Sequence, residues 1–337
     1  MDKNRKRDAF LTAHIGMGDM IHMNGAVRYL TTLYDTVTIV SLRSYSQNTV
    51  DMYKDDSSIK ILITEDASDI IPGYGASLES FRHLTADYDL FVCGKHKNPE
   101  FIGDIPHKNS DVPPDPTNTD LALPDLFYRH LGINLEVAFS HFKVPVSDKA
   151  LQLLDIARSC SSSIIFTHTK ASSSRIADSV FERIRKEYPD ALIINPDKNP
   201  YPPNHAFHDI SNEFLNFRIM DYILLMENAS ALYLIDSVFF ALAHYIQKPA
   251  GQRVYCIHRP YFDPFYRNSG LRIPNLVFVE TKQDMQAALN EFLAGLGISE
   301  PEMKQRIADG LSVELVREHF QVFLANYTIT LHPRFSV

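Results

Sequence analysis

The sequence predicts an α/β protein built as two Rossmann-like domains facing a central cleft. Short β-branched or aromatic runs alternate with amphipathic stretches through the first half, the signature of βαβ units and a parallel sheet. A turn signal at 145–148 interrupts this alternation, which then starts afresh. A chain of 337 residues, 45% of them hydrophobic, also exceeds one ordinary core and suits two domains of roughly 150 residues each.

In the first domain, 1–146, strands are expected at 9–13, 36–42, 59–64 and 88–94. Helices are expected at 19–33, where Ile21, Ala26, Val27, Leu30 and Leu33 share roughly one face, and at 44–53. From 95 to 120 the pattern dissolves into Pro, Asn, Asp, Lys and His, with Pro113-Pro114-Asp115-Pro116 near its end. This long loop reads either as a functional lid or as a surface insertion. A helix near 123–131 and a strand near 139–144 complete the domain. The second domain, 147–300, opens with a helix at 149–158. Its strands are expected at 163–169, 191–195, 231–236, 254–258 and 276–280, and its helices at 175–187, 217–228, 238–247 and 283–296. Helical stretches over 300–325, within a last segment 301–337, are expected to pack back on the first domain.

Composition excludes several classes of function. A net charge of −8 and a pI near 5.9 argue against nucleic acid or an anionic membrane held by a general basic surface. Cys93, Cys160 and Cys256 are odd in number and widely spaced, so neither a disulfide framework nor a zinc site is indicated, and a reducing cytoplasm fits. The basic start has no signal-like apolar core behind it. The most apolar region, 219–246, is broken by Asp221, Glu227, Asn228, Asp236 and His244, whereas a membrane-spanning helix wants about 20 mostly apolar residues.

Three turns carry residues fit for chemistry. The first strand runs into His14-Ile15-Gly16-Met17-Gly18-Asp19, whose glycines allow a tight turn at a helix N-terminus where a ligand phosphate or sugar could sit. As a dinucleotide fingerprint it fails, because Ile21 stands where the third glycine belongs and no carboxylate ends the second strand. The phosphate-binding loop of P-loop enzymes is absent too. Asp19 reads either as a general base at a cleft edge or as a helix-capping carboxylate, with His14 and His22 flanking it. In the second half, an apolar run ends in Asp236-Ser237 before a helix, a turn whose free N–H groups suit a diphosphate or, alternatively, a simple cap pair. The segment from Thr167 to Arg175 offers hydroxyls, Lys170 and Arg175 before a helix, enough to neutralise a leaving diphosphate without a metal or to form a plain Ser-rich loop. Asn195 is a candidate for base or ribose contact, and Asp221 reads as a ribose partner or a helix-start carboxylate.

Together these turns resemble the bacterial heptosyltransferase-like branch of the GT-B glycosyltransferases. The resemblance rests on Gly18-Asp19 followed by Ala26-Val27-Arg28-Tyr29-Leu30, and on Asp221 to Ala229 leading to Asp236-Ser237, Leu242-Ala243 and Lys248-Pro249. It implies GT-B architecture, Asp19 as catalytic base, and a donor diphosphate held by Asp236, Ser237 and the following helix start, with Lys170 near that diphosphate and Asp221 near the ribose. Gly18 joins this set, and His14, His22, Arg175 and His244 are further cleft candidates. The implied reaction transfers a sugar from a nucleotide-diphosphate donor to a hydroxyl of a glycan or glycoconjugate, with inversion and without a metal or cofactor. The chain departs from the family pattern where Val238 replaces a glycine, Ala241 stands in the place of the phosphate-binding His, and Asn24-Gly25 replaces an apolar-Pro approach. Two rival readings share these residues: a sugar-nucleotide epimerase or hydrolase, and an inactive nucleotide- or glycan-binding protein.

Overall fold

The structure, a computed structural model, describes residues 8–13, 16–65, 87–94, 102, 104–112, 123–171, 175–257, 273–279, 285–309, 311–312, 316, 319–320 and 328–329. Strands β1 (Asp8–Thr12), β2 (Val37–Leu42), β3 (Ile59–Thr64) and β4 (Tyr88–Val92) form one parallel sheet in the order β3-β2-β1-β4. Its central strand β1 is buried on both faces, as parallel strands generally are. Helix α1 (Met17–Leu30) covers one face, and α2 (Ser46–Tyr53) joins β2 to β3. Against the other face, Phe10, Val40, Leu90 and Val92 pack on Ile102 and Ile105 from the long loop. Asn109 of the same loop donates to the carbonyls of Val92 and His130 and accepts from the Val92 N–H. The described part of the loop is therefore a wall of the first sheet.

Beyond α3 (Leu123–Leu131) the expected strand at 139–144 is not formed. A short helix, α4 (Val137–Ser140), and an irregular stretch take its place and lie along α1. The physical reason sits in α1 itself. The buried Asn24 amide accepts from the Lys143 N–H at 2.9 Å and donates to its carbonyl at 3.2 Å, supplying both bonds that a neighbouring strand would have made. Arg28 adds a bond to the same carbonyl and an ion pair to Asp55 at 2.7 Å. Gly25 lets the 137–138 backbone approach closely, because a Cβ there would lie 2.6 Å from the Val137 carbonyl oxygen. The Asn24-Gly25 departure thus has a local cause.

The second half begins at α5 (Asp148–Cys160), capped by Ser147, whose hydroxyl accepts from the Ala150 N–H. There follow β5 (Ile164–His168), β6 (Arg175–Ile176), α6 (Ser179–Glu187), β7 (Leu192–Ile194), α7 (His208–Ser211), α8 (Ile223–Asn228), β8 (Ala231–Ile235), α9 (Val238–Ala243), β9 (Arg253–Ile257) and β10 (Leu276–Val279). Five of these strands make a second parallel sheet, ordered β10-β9-β8-β5-β7. The helix expected at 175–187 is preceded by the extended pair β6, since the Ile176 N–H donates to the Thr169 carbonyl. The helix expected at 217–228 is split into a 3-10 turn, Ile219–Tyr222, and α8.

The C-terminal elements are α10 (Met285–Gly295), α11 (Glu300–Ala308) and β11 (Thr328–Ile329). Helix α11 packs on α10 through Met303, Phe292 and Leu293, and β11 pairs with β6. Among the described residues these contacts lie with the second half rather than the first sheet.

Contacts at two places among the described residues help to join the halves. Helices α1 and α9 pack side by side, with Gly18 close enough to Ala241 that an added Cβ would stand 3.8 Å from the alanine methyl, and apolar residues of both sheets form one continuous cluster around them. At the other contact, Arg218 pairs with Asp51 at 2.9 Å and Asn48 accepts from the Ile219 N–H at 2.9 Å. Because backbone rather than side chain meets Gly25, Gly25→Ala is expected to cost about 1–3 kcal/mol, as overpacking does. A urea titration should show a lower midpoint at unchanged slope, and an unaltered midpoint would refute the close approach.

Candidate functional site

In an open parallel sheet, ligands bind beyond the strand carboxyl ends where the strand order reverses, because the flanking loops there diverge. In the first sheet this point falls between β1 and β4, and in the second between β5 and β8. The turn from β1 into α1 leaves the first point, and the turn from β8 into α9 leaves the second. Gly18 meets Ala241 and His22 meets His244, so α1 and α9 run parallel and bring their first turns together.

At the start of α1, Asp19 is half-buried at the third helical position. Its carboxylate folds back over Gly16, where a Cβ would lie 2.8 Å from Oδ2. Gly16 thus leaves the space that Asp19 occupies. Ala241, in place of the expected histidine, faces Gly18 and permits the contact between the helices.

At the start of α9, Ser237 is the half-buried cap residue and Asp236 beside it is buried. The Ser237 hydroxyl lies 2.9 Å from Nδ1 of His168, the last residue of β5, and so bridges the reversal point between β5 and β8. On its other side, His168 Nε2 stands 3.2 Å from a carboxylate oxygen of Asp197. The Phe239 ring packs edge-on against the imidazole with centroids 4.6 Å apart. Asp197 is held by Asn195, whose side-chain oxygen accepts from the N–H groups of Asp197 and Lys198.

The same network defines Asn195. Its two amide hydrogens go to Thr167 and Thr169 at 3.1 and 3.3 Å, so it shapes the turn after β7 and has no hydrogen left for a ribose or base. Asp221 accepts from Ser147 at 2.6 Å and so supports the residue that caps α5. Lys170 and Arg175 are exposed and form an antiparallel bridge that closes the loop after β5. His22 and His244 are not cleft residues: both are buried between α1 and α9, with ring centroids 5.8 Å apart and His22 Nδ1 at 2.7 Å from the Tyr245 hydroxyl. They were expected at the cleft because of their place in sequence, but each faces the opposing helix. His14 lies outside the described residues. The His168 to Asp197 pairing is the main feature that sequence reasoning did not assemble, although a His closing one strand and an Asp just past its neighbour were both visible.

The fold is that of a two-sheet α/β protein with strand-to-helix turns gathered at its reversal points. No family model and no curated protein sequence matches this chain. Solved structures do. The glycosyltransferase family 9 protein of Veillonella parvula superposes with a TM-score of 0.52 over 96% of this chain and 98% of that one, at 14% identity. An ADP-heptose lipopolysaccharide heptosyltransferase II of E. coli gives 0.47 at 13% identity, over 86% of this chain and 98% of that one. The iron-containing dodecameric glycosyltransferase TibC of enterotoxigenic E. coli gives 0.49 at 12% identity, over 83% and 63%. What is shared at these identities is the fold, and the resemblance read from the two turns is confirmed at that level. Among the described residues no group of three or more His, Cys, Asp or Glu side chains is placed to hold a metal ion, and no helix is long and apolar enough to cross a membrane.

The buried histidines generate a pH prediction. Burial pushes His22 down to about 3 and lowers His244 well below its ordinary value, with the neighbouring His22 and Lys248 charges adding to the latter. The native state therefore keeps both neutral while the unfolded chain protonates them below about pH 6.5. Unfolding then takes up protons, so stability is full above that value and falls with pH, by about 1.4 kcal/mol per pH unit per proton. For His22 the loss runs on toward its folded value of about 3. Urea titrations between pH 7 and 5 should show a shallower fall for His22→Gln than for the wild type. Equal slopes would show that His22 is already charged in the native protein.

Proposed function

We propose that this chain is a glycosyltransferase of GT-B architecture, using a nucleotide-diphosphate sugar and a hydroxyl acceptor on a glycan or glycoconjugate. The observation that carries this reading is the meeting of two first turns, one bearing Asp19 and the other bearing Ser237, which is bonded to His168 at the end of β5. A general base on one side and diphosphate ligands on the other are what direct sugar transfer requires. Helix α9 has six residues, so the diphosphate is assigned to side chains, Ser237, Lys170 and Arg175, rather than to a long helix dipole. Gly18, packed against Ala241, brings the two first turns together.

In the proposed reaction Asp19 accepts the proton of the acceptor hydroxyl. The acceptor oxygen forms its bond to the anomeric carbon from the face opposite the leaving group, and the carbon–oxygen bond to the diphosphate breaks with its electron pair on the departing phosphate. Lys170 and Arg175 offset the charge that develops there. Inversion follows from a single displacement. The residues need no metal for these roles, and the cytoplasm, where nucleotide sugars would be met, is the proposed location. The two sheets are the proposed domains, 1–146 for the acceptor and 147–300 for the nucleotide sugar.

Thermal unfolding with UDP, GDP, ADP, CMP and dTDP and their sugars tests the reading, since a ligand of the folded state raises the melting temperature by mass action. One nucleoside diphosphate should give a selective shift, and a folded sample that responds to none would remove the donor site. With the donor so identified, Asp19→Asn should lower kcat by about 10²–10⁴-fold with donor affinity unchanged. Unchanged kcat would make Asp19 a helix cap only. A new glycoside among the products distinguishes transfer from epimerisation or hydrolysis.

A further inference from the structure

The chain Asp197–His168–Ser237 crosses the point where the second sheet reverses its strand order, and one of its ends, Ser237, belongs to the diphosphate site proposed above. A serine hydroxyl carries one hydrogen and two lone pairs. Where that hydrogen points decides whether Ser237 can donate to an anion.

The two neighbours of His168 favour one neutral form. Asp197 is a carboxylate and offers only lone pairs, so its oxygen 3.2 Å from Nε2 favours the tautomer with the hydrogen on Nε2. Nδ1 then bears a lone pair, and at 2.9 Å the Ser237 hydroxyl must donate to it. In this state Ser237 has spent its hydrogen and turns only lone pairs outward. That suits a hydroxyl and opposes a phosphate oxygen. Protonation at Nδ1 reverses the bond: Nδ1–H donates to the Ser237 oxygen, and the hydroxyl hydrogen is released to an acceptor. The imidazolium also places a positive charge one hydrogen bond behind the phosphate, balanced by Asp197.

We propose that Asp197, His168 and Ser237 form a proton relay that makes occupation of the site by a diphosphate take up one proton. His168 is a positioning residue in this relay, since it acts on the ligand through Ser237. The surroundings permit it. The ring is 6% exposed and held edge-on by Phe239, so it keeps its orientation in both states. Among charged groups from the packed elements, Lys198 next to Asp197 is paired with Asp178, Lys170 projects outward two residues beyond His168, and buried Asp236 adjoins Ser237. Asn195 holds the Asp197 turn from below.

The inference rests on the diphosphate reading, and the experiment separates the two. Binding of inorganic pyrophosphate, and of the nucleoside diphosphate selected above, is measured by calorimetry on the whole protein, in buffers of different ionisation enthalpy. The proton exchange of the ligand itself is measured with His168→Asn and subtracted. Uptake of up to one proton per ligand is expected, with affinity falling by up to about tenfold per pH unit as the pH is raised through the linked range. His168→Asn and Ser237→Ala should bind more weakly at low pH and show neither this uptake nor this slope. In Asp197→Asn the falling limb should move to lower pH, because the carboxylate that favours the imidazolium is gone. As a second readout, the wild-type His168 ring nitrogens followed by NMR should pass from the Nε2–H tautomer to the doubly protonated form as pyrophosphate is added. Tight binding with no proton uptake and an unchanged neutral ring would overturn the relay while leaving the diphosphate site standing. Absence of binding by either ligand to the folded wild type would overturn the site and the relay together.

Discussion

The side-by-side packing of α1 on α9 is the constraint on which the rest of the arrangement depends. It needs two small residues, Gly18 and Ala241, at one place in two distant stretches of chain. Because the helices are parallel, contact near their starts brings together the turns that leave β1 and β8, and with them Asp19 and Ser237. A histidine in place of Ala241 would have to enter the space against Gly18. The departure at Ala241 from the pattern of the resembled family therefore goes with the close packing of the helices.

Much of the fold was legible because parallel strands, covered on both faces, are written as unbroken apolar runs. The stretch at 231–235 reads as a strand whatever surrounds it, and the strand-to-helix turns at Asp19 and Ser237 follow from such runs. The strand expected at 139–144 failed for a reason that local pattern cannot hold. Phe139, Phe142 and Val144 suggest a strand, but the Lys143 backbone groups are bonded by Asn24, more than a hundred residues earlier. The two-residue pairing of β6 with β11 is hidden likewise, since it joins positions 175 and 328.

Site residues divide along the same line. Asp19 and Ser237 announce themselves by position at a strand-to-helix turn. Asn195 follows β7 and Asp221 lies in the 3-10 turn before α8, and the Asn195 amide bonds Thr167 and Thr169 while one oxygen of Asp221 accepts from Ser147. His22 and His244 read as site residues only until the partner helix is known, when each proves to be interior. The His168 to Ser237 bond could be foreseen only with the strand order in hand, because β5 and β8 are neighbours in space with β7 and several helices between them in sequence.

The Arg218 to Asp51 pair and its companion bond from Ile219 to Asn48 have a geometric consequence. They join the two halves at a place distinct from the α1 and α9 seam, which is extended along both helices and continued by the stacking of Phe142 on Tyr245. A rigid displacement of one sheet against the other that keeps the seam intact can therefore only swing Arg218 and Asp51 apart. An exposed pair of this kind contributes only about 0–1 kcal/mol, so it is the cheaper of the two contacts to release.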